Sequence, residues 1–413
     1  MSFQYSQSGL PSSRWLIAPI LFALALTLVE SIAQAQTFTV IHSFTGGSDG
    51  KFPQGRITID RAGNIYGTTF YGGTTGQGTV FKMSRRGSSW TIAPLFIFSG
   101  DKNGGNPANG VVLGADGSLY GTTETTVFNL KPFPTRPVSV LSPWKINTLY
   151  QFQGGLDGAL PYGDLIFDSA GNIYGVTNIG GEGCYEGCGL VYELSPSNGG
   201  WTKRTLYEFQ GQPDGESPIA VILDSAGNLE GTAEYGGTNG GGIVFQLTSS
   251  GNDWTENILY NFGYSGSGGN LPQAGLISDP AGNLYGSTSN GPGGAGTIFE
   301  LSPSNGGWTY QVLAQVPAKY AGGPAAPLAF DEAGNLYGTI NGCCVDFPGA
   351  VFKLTPGNNG WTFTSLHDFT NGSDGGHPYS NVAIGADGNL YGTASSGGTG
   401  SDGGCGVVWE ITP

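Results

Sequence analysis

The sequence has few charged residues, and most of those it has are acidic. Among 413 residues, 15 are Lys or Arg and 30 are Asp or Glu, so the formal net charge is −15 at pH 7. A surface with this charge repels phosphate backbones, and we therefore expect no nucleic-acid partner. Histidine is also scarce, with three residues, and neither a Ser-His-Asp arrangement nor a histidine metal site can be argued from the sequence.

Several other common signatures are missing. Glycine is abundant, with 75 residues, but it does not recur at every third position, which excludes collagen. No phosphate-binding loop or dinucleotide fingerprint is present. The one long apolar run, residues 15–29, is short for a membrane span. Because Arg14 precedes it and an Ala-Gln-Ala cleavage site follows at residues 33–35, it predicts a signal peptide over residues 1–35. We expect a mature chain without a membrane span, either secreted or periplasmic.

What the sequence does contain is a repeated hexapeptide, Gly-Asn-Leu-Tyr-Gly-Thr, in seven exact or near copies. A period of just over fifty residues with strand-like composition is typical of a repeat architecture. A motif present in every repeat is more often part of the scaffold than part of an active site. The copies begin at Gly63, Gly117, Gly171, Gly227, Gly282, Gly334 and Gly388.

The residues around each hexapeptide predict four short strands per repeat. In the third repeat these are residues 164–167, 172–177, 190–194 and 201–209, separated by turns rich in Asp, Gly, Ser and Asn. A four-stranded antiparallel unit cannot bury both of its faces alone, so it must stack on its neighbours. Radial stacking gives a seven-bladed β-propeller, an all-β fold that we expect to occupy residues 36–413 as a single domain with almost no helix.

The two ends of the chain predict how the ring closes. Residues 37–44 resemble a fourth strand standing before the first repeat, while the last repeat stops after its third strand, residues 407–412. Pairing the two would complete the seventh blade and remove two exposed sheet edges. In six repeats a Trp begins the fourth strand and an apolar residue stands eight positions later. Counting back eight from Phe44 gives Gln36, the first residue after the cleavage site. A linear solenoid would not explain these complementary ends.

The consensus GNLYGTT, followed by a glycine-rich loop, a TVFxL strand and a strand that starts with GW, resembles the glycine-rich extracellular "GloVer" tandem repeats of bacteria. The resemblance covers about residues 36–413. It implies a secreted or surface-exposed repeat protein and no particular reaction. Members of the family carry varied surface anchors, and the absence of a C-terminal anchor signal in this sequence favours free secretion or the periplasm.

The five cysteines lie in loops between the second and third strands, and so on one face of the propeller. In an oxidising compartment, Cys184 and Cys188 are expected to form a local disulfide. One further pair is expected among Cys343, Cys344 and Cys405, either a bridge from one of the first two to Cys405 or a vicinal Cys343–Cys344 bridge. Because C-x3-C has no second pair of ligands at zinc spacing, we expect structural disulfides and no metal.

Asp-Gly recurs in the loop that follows the fourth strand, on the same face as the cysteine loops. A ring of carboxylates round the channel mouth could bind calcium, a basic ligand or a sugar. Asp-Gly is also a turn signal, and four copies on seven blades cannot all converge on one ion. The turn is therefore the favoured interpretation, and we expect no cofactor, with calcium as the alternative. The candidate ligand-binding residues are Asp49, Asp157, Asp214 and Asp374.

Blade four departs from the hexapeptide, because Glu230 stands where the other six copies have Tyr. A carboxylate buried there would need a partner or a shifted pKa. Glu234 follows four residues later and, on a regular strand, points the same way. The two could form an acid/base pair of the glycosidase kind. The alternative, which we favour, is that Glu230 is paired with a nearby polar group and has no catalytic role.

These patterns favour a secreted, non-catalytic propeller that binds an extracellular ligand, glycan or protein as a monomer. One alternative is an extracytoplasmic enzyme that hydrolyses carbohydrates or lactones, and another is a structural matrix protein. Side chains at the central channel would separate the three. An enzyme needs acids or bases within reach of one another, a binding protein needs aromatic and amide groups, and a matrix protein needs neither.

Overall fold

The computed structural model describes residues 1–2, 36–132, 144–264, 267–344, 346–400 and 404–413. In these ranges 28 strands form seven four-stranded antiparallel sheets arranged as the blades of a propeller, which confirms the fold prediction. Two three-residue 3₁₀ turns, Gly155–Asp157 and Pro292–Gly294, are the helical elements of the described residues. The signal peptide predicted for residues 1–35 lies almost wholly outside these ranges and stays a prediction.

The strands of each blade run in chain order from the central channel outwards. Blade 1 contains β2 (Thr58–Ile59), β3 (Ile65–Thr69), β4 (Thr79–Arg86) and β5 (Ser89–Ile97), and blade 2 contains β6 (Val111–Leu113), β7 (Leu119–Thr122), β8 (Thr126–Pro132) and β9 (Trp144–Gln151). Blade 3 contains β10 (Ala159–Phe167), β11 (Ile173–Ile179), β12 (Leu190–Ser197) and β13 (Gly200–Glu208), and blade 4 contains β14 (Gly215–Leu223), β15 (Leu229–Gly236), β16 (Gly240–Ser250) and β17 (Asp253–Gly263).

The remaining blades follow the same plan. Blade 5 contains β18 (Ile277–Ser278), β19 (Leu284–Thr288), β20 (Thr297–Ser304) and β21 (Gly307–Gln315), and blade 6 contains β22 (Ala329–Phe330), β23 (Leu336–Ile340), β24 (Ala350–Gly357) and β25 (Gly360–Asp368). Blade 7 contains β26 (Ala383–Ile384), β27 (Leu390–Ala394), β28 (Val407–Thr412) and, as its outermost strand, β1 (Thr37–Ser43).

The hexapeptide builds the turn between the first two strands of a blade. In blade 3, one carboxylate oxygen of Asp168 accepts the backbone N–H groups of Ala170 and Asn172, both at 2.9 Å. The other oxygen accepts the Asn172 amide at 2.7 Å and the Tyr174 hydroxyl at 3.1 Å. The Asn and Tyr of the motif therefore provide hydrogen-bond donors to the carboxylate of one turn Asp. The same Asp-to-Tyr contact recurs in blades 1, 5, 6 and 7.

The second glycine of the motif is required by packing in the blade. A Cβ on Gly67 would lie 2.6 Å from the ring of Phe81 on the neighbouring strand, and Gly286 stands in the same relation to Phe299 at 2.5 Å. The aromatic side chain of the third strand thus occupies the space that any side chain at this position would need.

Neighbouring blades are joined by the residue before the proline that leads into the first strand. In six blades this residue has a positive φ between 52° and 58° although it is not glycine. Phe52 shows the purpose: its N–H donates to the carbonyl of Cys405 in blade 7 at 2.9 Å, while its carbonyl accepts the N–H of Phe70 in its own blade at 3.0 Å. The left-handed turn therefore links two blades through the backbone. The six residues are Phe52, Asn106, Leu160, Ser217, Leu271 and His377.

Ring closure occurs as the sequence predicts. Strand β1 pairs antiparallel with β28, from Thr37 opposite Thr412 to Ser43 opposite Val407. The Phe38 ring stacks on His367 of blade 6, with 3.6 Å between ring centroids. Strand β1 therefore completes blade 7, and its Phe38 also packs this blade against blade 6.

Removing residues 36–44 should abolish cooperative folding, because it exposes the edge of β28 and unseals the contact between blades 6 and 7. Thermal unfolding followed by circular dichroism tests this. The control is a circular permutant that carries residues 36–44 after Pro413 through a short linker, and it should recover a single sharp transition. A truncated chain that unfolds like the full one would show that this strand does not hold the ring together.

Candidate ligand site at the channel mouth

A cavity of about 660 Å³ opens at one end of the central channel. Each blade contributes two residues to its wall from the segment between the leading proline and the first strand or from the start of that strand. They are the first and the third residue after the proline; in blade 4, which is one residue shorter here, Ala220 takes the second place. Alternation along an extended chain points both toward the channel axis. The upper ring is Gln54, Ala108, Tyr162, Ile219, Gln273, Ala325 and Tyr379, and the lower ring is Arg56, Gly110, Asp164, Ala220, Gly275, Pro327 and Asn381.

The residue that follows the hexapeptide strand adds a third group of side chains to the wall. It is the eighth residue counted from the first glycine of the motif. Five blades present this residue to the cavity, and the side chains are mainly polar or acidic. They are Phe70, Glu124, Asn178, Glu234 and Asn341.

An ion pair spans the lower ring. Arg56 of blade 1 donates from Nη1 to Asp164 of blade 3 at 2.9 Å, so the pair passes in front of blade 2. Blade 2 has Gly110 at the same level, and a Cβ there would lie 1.9 Å from the backbone carbonyl oxygen of Arg56. The Asp164 carboxylate raises the pKa of Arg56 against the opposing effect of burial. Both residues also line a second cavity, of about 540 Å³, that lies beyond this level and has mainly aliphatic walls. The ion pair therefore marks the floor of the polar cavity.

The upper part of the cavity combines two tyrosines and a carboxylate from different blades. Tyr162 and Tyr379 are 39 % and 40 % exposed, so both rings are accessible from the cavity that they line. Glu234 accepts a hydrogen bond from the Gln273 amide at 2.7 Å. Tyr162, Tyr379 and Glu234 all line the cavity, and burial, followed by the charges of Glu234 and Tyr379, raises the pKa of the Tyr162 hydroxyl.

The structure does not bring Glu230 and Glu234 together. Glu234 lines the cavity, whereas Glu230 is 4 % exposed within the blade and accepts the Gln246 amide at 3.0 Å. Four residues along a strand correspond to about 13 Å, which is wider than the roughly 5–9.5 Å of glycosidase carboxyl pairs. Burial raises the pKa of Glu230 to about 7, and the nearby Asp224 carboxylate adds to the effect. Glu230 thus occupies the tyrosine's place beside the turn Asp and has Gln246 as its polar partner, and its lack of a catalytic role stays a prediction.

The four Asp-Gly carboxylates close their own loops. Asp157 accepts the backbone N–H of Gln153 at 2.9 Å and the Tyr150 hydroxyl at 2.7 Å, and Asp49 makes the equivalent contacts to Thr45 and His42. Asp214 and Asp374 follow the same pattern. None of the four is among the residues that line the channel-mouth cavity. Their ligand-binding role stays a prediction, and their contacts are those of the turn interpretation.

The disulfide predicted between Cys184 and Cys188 is confirmed, whereas the further disulfide expected among Cys343, Cys344 and Cys405 is not formed. A disulfide joins Cys184 and Cys188, whose Cα atoms are 5.1 Å apart. Cys343 and Cys344 are exposed and their sulfur atoms lie 2.9 Å apart, while Cys405 is buried in the core that contains Phe44. The geometry therefore juxtaposes the vicinal pair. Among the described residues, no group of three or more His, Cys, Asp or Glu side chains is arranged to hold a metal ion.

The channel residues are the part of the site that the sequence analysis missed. Arg56, Asp164, Tyr162 and Tyr379 lie outside the hexapeptide, and no local motif marks them as neighbours in the fold. A usable signal exists: the positions just after the leading proline vary from repeat to repeat, whereas the rest of the strand stays aliphatic.

Comparison with known proteins identifies the repeat. The family model of the Gloeobacter/Verrucomicrobia repeat matches residues 27–132, 125–342 and 258–413. The chain belongs to this repeat family. No curated protein matches the sequence. Among solved structures, a protein from Lactobacillus plantarum is similar with a TM-score of 0.52 and 12% identity, over 76% of this chain and 84% of that one. A candidate 6-phosphogluconolactonase from Bacteroides uniformis has a TM-score of 0.53 and 16% identity, over 80% and 89%. At these identities the likeness shows the fold alone.

Charged side chains also lie between the blades of this chain. Lys203 of blade 3, two residues after the Trp of the fourth strand, donates to the Asp157 carboxylate of the preceding loop at 3.0 Å. Blade 4 has Glu256 at this position, facing Asp214 and accepting the Tyr207 hydroxyl at 3.3 Å. Burial, together with the Asp214 charge, raises the pKa of Glu256 to about 8. One repeat therefore holds an ion pair where the next holds two carboxyl groups.

No helix among the described residues is long and apolar enough to cross a membrane.

Exchanging these charges should change how stability depends on pH. The folded pKa of Glu256 is raised above the unfolded value of 4.5, so the stability due to its protonation is present below pH 4.5 and is lost as the pH rises toward 8. Glu256→Lys recreates the Lys203 contact and should stabilise the protein by on the order of 2 kcal/mol at pH 8. Lys203→Glu should destabilise the protein and make its stability fall more steeply as the pH rises. Thermal midpoints at pH 5 and pH 8 measure both, and equal gains for Glu256→Lys at the two pH values would contradict the assignment.

Glu230→Tyr should restore the contact that other blades make with the turn Asp. Because burial raises the pKa of Glu230 to about 7, the wild type loses stability between pH 4.5 and 7. The variant should gain about 1 kcal/mol at pH 8 and less at pH 5. Chemical unfolding at the two pH values checks this, and a loss of stability at pH 8 would mean that Glu230 has a role that Tyr cannot fill.

Proposed function

We propose that the protein is a secreted, non-catalytic binding propeller whose ligand is a small polar molecule, such as a glycan unit, held in the channel-mouth cavity. The observation that carries the proposal is the convergence of Tyr162, Tyr379 and Glu234 from three blades on a cavity of about 660 Å³. This volume is in the range of small-molecule sites, about 300–1,000 Å³. Exposed aromatic rings on a rigid wall favour binding, since little side-chain freedom is lost when a ligand packs on them.

The amide side chains of the wall support a polar ligand. Asn178, Asn341 and Asn381 lie in the cavity together with Gln54 and Gln273. An amide offers both donors and an acceptor, so such a wall suits a ligand with hydroxyl groups, because each hydroxyl can both donate and accept a hydrogen bond. Part of this set is already used by the scaffold, because the Asn381 side-chain oxygen accepts the N–H of Ile57 at 3.1 Å.

The positions of the titrating carboxyl groups favour binding over hydrolysis. An acid/base catalyst needs a group with a pKa near the working pH within reach of the bond to be cleaved. The two carboxyls whose pKa is raised toward neutrality, Glu230 and Glu256, are not among the cavity-lining residues. The charged pair that does lie there, Arg56 and Asp164, is tied up in its own ion pair.

Secretion is supported by chemistry that suits an oxidising compartment. A disulfide such as Cys184–Cys188 forms and persists outside the cytosol. The signal-peptide pattern of residues 1–35 points the same way. We propose export of the chain and cleavage before Gln36, which N-terminal sequencing of the exported protein would check.

Ligand binding is tested with a library of sugars, amines and small organic acids screened by thermal shift. At least one chemical class should raise the unfolding temperature, and Tyr162→Ala with Tyr379→Ala should weaken its affinity by tenfold or more, because each ring contributes about 1–2 kcal/mol of contact. Tyr185→Ala is the matched control, since Tyr185 is fully exposed outside the cavity. Equal loss in the control, or full binding by the cavity variant, would contradict the site. A library without any ligand would favour a structural role.

A further inference from the structure

The charges of the cavity wall are unequal. Three carboxylates, Glu124, Asp164 and Glu234, face one guanidinium, Arg56. The guanidinium is committed to Asp164 at 2.9 Å. Within the described parts of the chain, neither Glu124 nor Glu234 takes part in an ion pair with a lysine, arginine or histidine. The wall therefore carries two negative charges that no protein cation offsets.

Glu234 is the better placed of the two to contact a ligand. It is half-buried at the end of β15, whereas Glu124 is exposed at the rim. The neutral groups around it hold its carboxylate in position: the Gln273 amide donates at 2.7 Å, and the hydroxyl of Tyr235 is a further hydrogen-bond partner. Neutral donors fix the geometry of a carboxylate without cancelling its charge. A partly desolvated carboxylate that keeps its charge attracts a cation more strongly than one in bulk water.

The two tyrosines add to this preference. Tyr162 and Tyr379 belong to the same upper ring as Gln273, and the charge of Glu234 acts on the Tyr162 hydroxyl. Aromatic rings attract cations through the negative face of the π system. A cavity that holds a carboxylate and two tyrosines thus suits an ammonium group, which can donate three hydrogen bonds to carboxylate, hydroxyl and amide oxygens.

We propose that the cavity binds a ligand with a protonated primary amine on a sugar-sized, hydroxylated body, that is, an amino sugar. The ammonium contacts Glu234 between Tyr162 and Tyr379. The hydroxyl groups reach the asparagine amides of the wall and the Arg56–Asp164 pair at the floor. An acidic sugar is rejected, because its carboxylate would meet Glu234 and Glu124. This inference rests on the proposed binding function and specifies the ligand class of the same cavity.

A matched series of sugars isolates the charge. Glucosamine, glucose, N-acetylglucosamine and glucuronic acid share one ring, and the first differs from the third by loss of a single positive charge on acetylation. Isothermal titration of the whole secreted chain at pH 6.5 should give the tightest binding for glucosamine, about tenfold tighter than glucose, and the weakest for glucuronic acid. The advantage of glucosamine should shrink with added salt, since screening weakens charge attraction.

Two charge-removing variants separate the site from the surface. Glu234→Gln keeps an acceptor for Gln273 and should lose the tenfold preference for glucosamine over glucose. Glu186→Gln is the control, because Glu186 is exposed in the β11–β12 loop outside the cavity and its loss changes net charge equally. The preference should survive in this variant. Thermal midpoints within a few degrees of wild type establish that both variants fold.

Three results would overturn the inference: binding of glucose or glucuronic acid at least as tight as that of glucosamine, an unchanged preference in Glu234→Gln, or no binding of any amine-bearing sugar. In the last case the proposed function would still stand if another class from the ligand library bound in a manner that depends on Tyr162 and Tyr379. If the library also gave no such ligand, both would fail.

Discussion

The structure depends on a left-handed backbone turn that recurs immediately before the proline of six blades. A non-glycine residue in this conformation costs about 1–2 kcal/mol, and the following proline disfavours helical backbone as well. The cost is offset because the N–H of the turn residue donates to a carbonyl of the preceding blade, while its carbonyl accepts an N–H just after the second strand of its own blade, as Phe52 and Leu271 show. A turn that makes both hydrogen bonds fixes two blades at once and sets the direction in which the chain enters the channel wall.

The same turn decides which residues can serve a function. Once the proline is fixed, the first and third residues after it face the axis in six blades, and the first and second do so in blade 4. The rest of the repeat is needed to build the blade. The Asp168 carboxylate accepts hydrogen bonds from Asn172 and Tyr174, and the Phe81 ring leaves no space for a side chain at Gly67. Variation is concentrated at these channel-facing positions, which carry Arg56 in one blade, Gly110 in the next and Asp164 in the third. Some of them also serve the scaffold, since the Asn381 side chain accepts the N–H of Ile57 at 3.1 Å.

This division explains how far the sequence alone leads. The spacing of the hexapeptide is enough to predict the seven blades, and the complementary chain ends are enough to predict the pairing of β1 with β28. Both predictions depend on local patterns that repeat along the sequence. The Cys184–Cys188 bridge is likewise local. The cavity could not be found in this way, since Tyr162 and Tyr379 are more than two hundred residues apart and meet only after the ring closes. The exception that stands out in the sequence, Glu230, falls on the face where other blades have a buried tyrosine and so lies away from the channel.

Carboxyl groups of blade 4 show why position matters more than residue type for function. Glu230 and Glu256 are packed in the body of the propeller, where burial raises their pKa values to about 7 and about 8. A carboxyl that holds a proton near neutral pH adds no charge to the surface and serves the scaffold as a hydrogen-bonding group. Glu234 is on the same strand as Glu230 but ends in a cavity that is open to solvent and is braced by the Gln273 amide. Of the three glutamates, it alone faces a space that a ligand can enter, and the repeat supplies the rigid wall that keeps it there.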